Sequence, residues 1–303
     1  MLNTIKSIAC TLVSSALTAL PVAGQAADKP PVVLEPSSNW HLDYADQKCR
    51  LAREFGGGEN PHILIMDQNS PSGSFALTAA GRSFGSFTGR SDLFLTFGAG
   101  AEAKEVKSYY KGQVDSYGAA VILTGISPYS GTPPESEAVN QETEEQDGLS
   151  QLDESAAAAI DHIAVSQKSR RIIFQTGSLA PAFAAMNVCT FDLVGSWGLD
   201  VEQHKTRSRP PRLLNIETIS DRIRKNYPRA AEMMGEQGFI RARVIVDEAG
   251  SVTDCSQENA TKLVLLESPT CQIMQGAKFE PALDAKGAPM RSYYTMNVAY
   301  KMR

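Results

Sequence analysis

The sequence predicts an α+β protein of two domains, a strand-rich mixed domain followed by a small antiparallel sheet with helices packed on it. Three observations carry that expectation. Short apolar runs separated by Gly-, Pro- and Ser-containing turns recur through the first two thirds of the chain. Residues 239–247 and 294–302 alternate apolar and polar side chains at the period of a half-buried strand. Between these regions, Gln203-His-Lys-Thr-Arg-Ser-Arg-Pro-Pro-Arg212 is polar, basic and proline-containing, which reads as an extended linker. With 303 residues, the chain is long enough for two modest cores.

The elements follow in chain order. Residues 1–26 carry one charge, Lys6, then an apolar run from Ile8 to Val22 and a small-residue end at Gly24-Gln25-Ala26. This is the layout of a secretory signal peptide cleaved after Ala26. Thr11, Ser14, Ser15, Thr18 and Pro21 interrupt the run, and spanning a bilayer takes about 20 apolar residues. Residues 27–35 read as a loose N-terminus. The first domain is placed at 36–200, with strands expected at 49–55, 62–67, 74–79, 93–97, 121–126 and 171–175. Ser178 is positioned to cap a helix from Pro181 through Cys189 to about Trp197. Within this domain 135–154 holds eight acidic residues and no basic one, the composition of a solvated acidic loop. Its carboxylates lack the fixed Asp and Gly spacing of a calcium loop. The linker spans 201–219.

The second domain occupies 220–303. Tyr227-Pro228 and a short amphipathic helix precede Gly238 and a strand in which Ile240, Ala242, Val244 and Val246 alternate with Arg241, Arg243 and Asp247. Asp247-Glu-Ala-Gly-Ser251 supplies a hairpin turn into a second strand at Val252, and a helix is expected to start near Pro269. Phe279-Glu-Pro-Ala282 and a closing strand complete it. There Tyr294, Met296, Val298, Tyr300 and Met302 share one face.

This order of elements resembles the C-terminal domain of the TonB family over about the last quarter of the chain. The resemblance implies a protein-binding module that recruits an extended segment of an outer-membrane receptor alongside its final strand. The implied partner surface is residues 292–301, represented by Tyr293, Tyr294, Thr295, Met296, Asn297, Val298, Ala299 and Tyr300. The linker is much shorter than the proline-rich spacer of a typical TonB. The first domain resembles no fold recognised in its sequence.

Without Cys10, which falls in the signal segment, four cysteines remain: Cys49, Cys189, Cys255 and Cys271. An even number in an exported chain implies disulfides, and four cysteines allow three pairings. Proximity within each domain favours Cys49–Cys189 and Cys255–Cys271. None has CxxC or zinc-type spacing, so no metal or cofactor is expected. The formal net charge of −5 and the lack of a basic patch argue against nucleic acid as a partner.

Catalytic candidates are few. Gly81-Arg82-Ser83-Phe84-Gly85 matches the G-x-S-x-G pattern, but that mechanism needs a helix after the serine, and a Gly-flanked turn is the expectation here. His41 and His62 stand without HxxxH or HExxH context, and His162 and His204 fall beside the acidic segment and in the linker. Trp40, Tyr44 and Trp197 read as core or interface aromatics. The expectation is therefore a non-enzymatic, periplasmic protein-binding protein serving TonB-dependent transport. Two alternatives stay open: a membrane-anchored energy transducer, and an enzyme or inhibitor in the first domain docked by the second. Self-association through exposed sheet edges is open as well.

Overall fold

The structure, a computed structural model, describes residues 29–107, 109–128, 148–236, 238–259 and 265–300. The expected signal peptide at 1–26, residues 135–147 of the acidic loop and the strand end beyond Tyr300 lie outside these described residues. Two α+β units are present.

The first unit is built from β1 (Val32–Leu34), β2 (His41–Ala45), β3 (Lys48–Phe55), β4 (His62–Gln68), β5 (Phe75–Gly81), β6 (Leu93–Phe97), β7 (Lys104–Val106), β8 (Tyr109–Val114) and β9 (Gly118–Ile126). These are followed by α1 (Glu154–Ala157), β10 (Ile163–Gln167), β11 (Arg170–Phe174), α2 (Ala180–Ser196) and α3 (Val201–Lys205). One sheet runs β2-β3-β4-β5-β9-β8 and the other β1-β11-β10-β6-β7. β4 sits in the middle of the larger sheet, and His-Ile-Leu-Ile-Met is buried along both faces. Leu64 and Met66 face the main core, while Ile63 and Ile65 pack with Ala80 and Ala120 on the other side. In the main core Phe55 meets Phe174 edge-on at 5.1 Å, and Phe75 meets Phe183 at 5.7 Å. Such pairs add about 0.5–1.5 kcal/mol beyond simple burial.

α2 closes the core and is covalently held to it. Cys189 on α2 and Cys49 on β3 form a disulfide with both side chains fully buried. The expected cap by Ser178 is corrected: the N-cap of α2 is Leu179, without a side-chain cap, and the Ser178 hydroxyl only accepts from the Ala180 amide at 3.4 Å.

Four further expectations are corrected. Residues 32–34 are not loose, because β1 pairs in parallel with β11 (Val32 with Ile172, Leu34 with Phe174) and buries Leu34. The end of the acidic segment is not free loop. Leu152 is buried, its amide donates to Asn187 Oδ1 at 2.9 Å, and Asp153 caps α1 by accepting from the Ala156 amide. Part of the expected linker is the helix α3, capped by Asp200 accepting from the Gln203 amide at 3.0 Å, and it buries His204 completely. Tyr44 is not part of the core, being 56 % exposed on β2.

The second unit comprises β12 (Arg212–Leu213), α4 (Ile216–Lys225), α5 (Arg229–Met233), β13 (Gly238–Val246), β14 (Val252–Asn259), α6 (Thr270–Met274), β15 (Phe279–Glu280), β16 (Ala282–Leu283), β17 (Pro289–Met290) and β18 (Ser292–Tyr300). It therefore begins before residue 220, since β12 pairs with β15 and α4 starts at Ile216. Ile219 and Ile223, four residues apart on one face of α4, are buried against the sheet. Cys255 on β14 and Cys271 on α6 form the second disulfide. The β13–β14 turn needs Gly250: its φ is +81°, and a Cβ there would lie 2.1 Å from the Phe279 carbonyl oxygen.

Candidate partner-binding edge and interdomain cleft

The sheet of the second unit has the order β14-β13-β18, all antiparallel. β18 is therefore an edge strand, and among the described residues it pairs only with β13. Its period of two divides the residues expected to meet a partner. Tyr294, Met296, Val298 and Tyr300 enter the core beneath the helices. Tyr300 packs edge-on against Tyr227 at 4.9 Å, and its hydroxyl lies 2.9 Å from Ser268 Oγ. Tyr293, Thr295, Asn297 and Ala299 turn to the opposite face, where Asn297 is exposed and Thr295 and Ala299 are half-buried. What the edge offers a partner is backbone and these small side chains, not large aromatics.

That opposite face is covered in part by the first unit. Tyr293 is buried beside Trp197, with ring centroids 5.0 Å apart, and stacks on His204 at 6.0 Å. Arg243 lies over the Trp197 ring at 4.2 Å and donates to Gln47 Oε1 at 3.1 Å. Arg241 donates to Asn69 Oδ1 at 2.7 Å, while Glu258 accepts from Asn69 and pairs with Lys48 at 2.5 Å. Asp67 takes a two-point contact from Arg50, both bonds 2.7 Å. Burial lowers the Arg241 guanidinium below its ordinary range, and the nearby Asp67 and Glu258 charges oppose that shift.

Between the units lies a polar cleft of about 230 Å³, lined on the side of the second unit by residues of β13, β14 and β18. Tyr293 to Asn297 line it together with Asn69, Ser70, Pro71, Ser72 and Ser74 of the first unit and with Arg207, Pro210 and Pro211. The segment read as a linker thus helps to build this surface.

His204 ties the units together. Its Nδ1–H donates to the Asp200 carbonyl at 2.6 Å, and its Nε2 accepts from Ser292 Oγ at 3.0 Å. Burial depresses its pKa, and the Arg207 charge acts in the same direction against the Asp200 carbonyl. Burial depresses His62 as well. The unfolded chain takes up protons at these sites below about 6.5 while the folded protein resists them. Stability is therefore full above pH 6.5 and falls as pH drops from there toward the depressed folded values. A melting series from pH 8 to 5 should show this decline, and His204→Gln should flatten it. An unchanged slope would remove His204 as a contributor.

The G-x-S-x-G serine acquires a partner that its sequence does not announce. Ser83 Oγ lies 2.9 Å from His62 Nε2, and His62 Nδ1 lies 2.9 Å from the Asn60 carbonyl, so Nδ1 donates and Nε2 accepts from the hydroxyl. This comes from the β4–β5 register, which sets His62 opposite Gly81. A Cβ at Gly81 would sit 2.0 Å from the imidazole, so that glycine makes room for the ring. Ser83 lies within a 3₁₀ turn (Arg82–Ser86), in keeping with the turn reading, and its own amide also points to Nε2 at 3.4 Å. Among the described residues no carboxylate bonds to the imidazole, and the pair fastens the turn to β4. His41 is exposed on β2, and His162 pairs with Asp161 at 2.6 Å. No cluster of His, Cys, Asp or Glu suited to a metal ion occurs among the described residues.

The second unit is thus a small α+β module with helices on one sheet face and, among the described residues, an edge strand paired on one side only. Residues 223–302 match the model of the family described as Gram-negative bacterial TonB protein C-terminal, and this segment is a TonB C-terminal domain. That family is not a family of enzymes, and the match supports a TonB-like, envelope-associated protein. No curated protein and no solved structure matches the chain. No helix among the described residues is long and apolar enough to cross a membrane.

Proposed function

We propose that this protein is an exported, periplasmic protein-binding protein that engages an outer-membrane or periplasmic partner by strand addition to β18, in the service of TonB-dependent transport. The observation that carries the reading is the edge of β18, unpaired among the described residues, in a TonB C-terminal domain and beside a cleft that both units line. An added strand gains its affinity from backbone hydrogen bonds and its selectivity from pockets for alternate side chains. Here the accessible side chains on the added strand's neighbour are Thr295, Asn297 and Ala299, small enough for a partner backbone to approach closely. The first unit, docked on the sheet face opposite the helices, supplies the surroundings of that edge and with them the selectivity. Capture of a partner from an outer-membrane extract on the oxidised protein, compared with variants of β18 that lack an outward N–H, tests the reading.

A further inference from the structure

Arg207 is the one residue of the cleft whose charge the structure leaves unanswered among the described residues. It is 7 % exposed, yet its Nε and Nη1 have no hydrogen-bond partner; its side chain meets Tyr293, through a hydrogen bond and over the ring at 5.7 Å, and no carboxylate among the described residues pairs with it. The acidic groups lining the cleft are already engaged, Asp67 by Arg50 and Glu258 by Lys48 and Asn69. The other two arginines of the cleft each have an amide oxygen partner. A buried guanidinium without a counter-charge is costly, and a ligand supplying one recovers that cost. Gln68, 3 % exposed on the same cleft, also has an unmet need: its Nε2 donates to Ser72 and Ser74 carbonyls while its Oε1 accepts from nothing. The cleft thus asks for one anion and one N–H donor.

Its size decides what brings them. At about 230 Å³ it is smaller than the roughly 300–1,000 Å³ of sites that enclose a small-molecule ligand, but it suits a side chain entering from a strand laid along β18. We propose that the segment added to β18 carries an Asp or Glu whose carboxylate enters this cleft and pairs with Arg207, while a backbone N–H of the same segment meets Gln68 Oε1. The pairing rests on the strand-addition reading and deepens it: β18 supplies register-tolerant affinity, and Arg207 fixes the register by demanding a carboxylate at one place. An arginine outside residues 223–302 would then set the specificity of the TonB domain.

Selection of short linear peptides from a random display library tests this, using the full oxidised protein and its Arg207→Gln and Arg207→Glu variants. The wild type should select peptides of alternating apolar pattern with Asp or Glu at one fixed position. Replacing that acid by its amide should weaken binding about tenfold or more, as expected for loss of a charge-assisted bond. Arg207→Gln should keep the alternating pattern without the acidic preference, and Arg207→Glu should select Lys or Arg at that position. Arg207→Lys, which retains the charge, should keep the preference and serves if Arg207→Gln does not fold. Alternating peptides with no acidic preference in the wild type, or the same preference in Arg207→Gln, would overturn the Arg207 pairing and leave strand addition standing. If no protein selects alternating peptides, strand addition fails and the pairing with it.

Discussion

Replacing Cys49 and Cys189 by alanine should be the most damaging double change available in this chain. The bridge joins β3 to α2 across 140 residues of sequence. In the chain-entropy description, opening a loop of that size costs about 4–5 kcal/mol, against about 3 kcal/mol for the 16-residue separation of Cys255–Cys271. Both sulfurs of the longer bridge are also buried in the core that Leu51, Met66 and Met186 help to fill, so the replacement loses packing as well. Melting followed by circular dichroism should show a drop of about 10–15 °C for the first pair and a smaller one for Cys255→Ala/Cys271→Ala. An equal or reversed ranking would mean that the staple between β3 and α2 is not what holds the first unit together.

Tyr293→Ala should uncouple the two units. The ring is buried between Trp197, His204 and Arg207, and truncating an enclosed aromatic costs about 3–5 kcal/mol. The backbone of β18 stays paired with β13 in this variant, so the loss falls on the contact between units and not on the sheet. Urea unfolding followed at Trp197 and by far-ultraviolet dichroism should separate into two transitions, with the signal from Trp197 moving first. A single transition at the wild-type midpoint would contradict the docking described here.

Much of the fold is legible in the sequence because it is local. β6 spans the expected 93–97, and β3, β4, β5 and β11 fall within two residues of their expected ends. The alternation of 239–247 and 294–302 marks the two strands that pair along their length in the second unit. The missed strands have physical reasons. β2 and β8 lie at the two edges of the larger sheet and carry exposed, polar positions. β10 is short and follows Asp161-His162, at the flank of the acidic segment. β1 gains its conformation from β11, about 140 residues away, which no local pattern can signal.

The site is less legible than the fold. The period of two identifies Arg241 and Arg243 as one face of β13, but it cannot say that Asn69, Gln47 and Trp197 cover that face. The resemblance implies Tyr293 as a partner-contact residue, while the structure commits its ring to the first unit. Arg207 reads as one basic residue among several in a linker. Only the capping of α3 by Asp200 and the docking of His204 bring it under cover. The Ser83–His62 pair depends on strand register, which the G-x-S-x-G word does not contain.

The central claim is that the free edge of β18 receives a partner's backbone, and a paired proline and alanine scan of residues 294–300 tests it most directly. In a strand, N–H groups and side chains both alternate, so one set of positions bonds to β13 and the other points outward. Alanine at each position reports the side chain alone, and proline additionally removes the N–H. Capture from an outer-membrane extract and melting temperature are measured for every variant. The account predicts that at one alternate set proline unfolds the domain relative to alanine, while at the other the domain stays folded and capture falls. Full capture by every folded proline variant, or unfolding at every position without alternation, would contradict it.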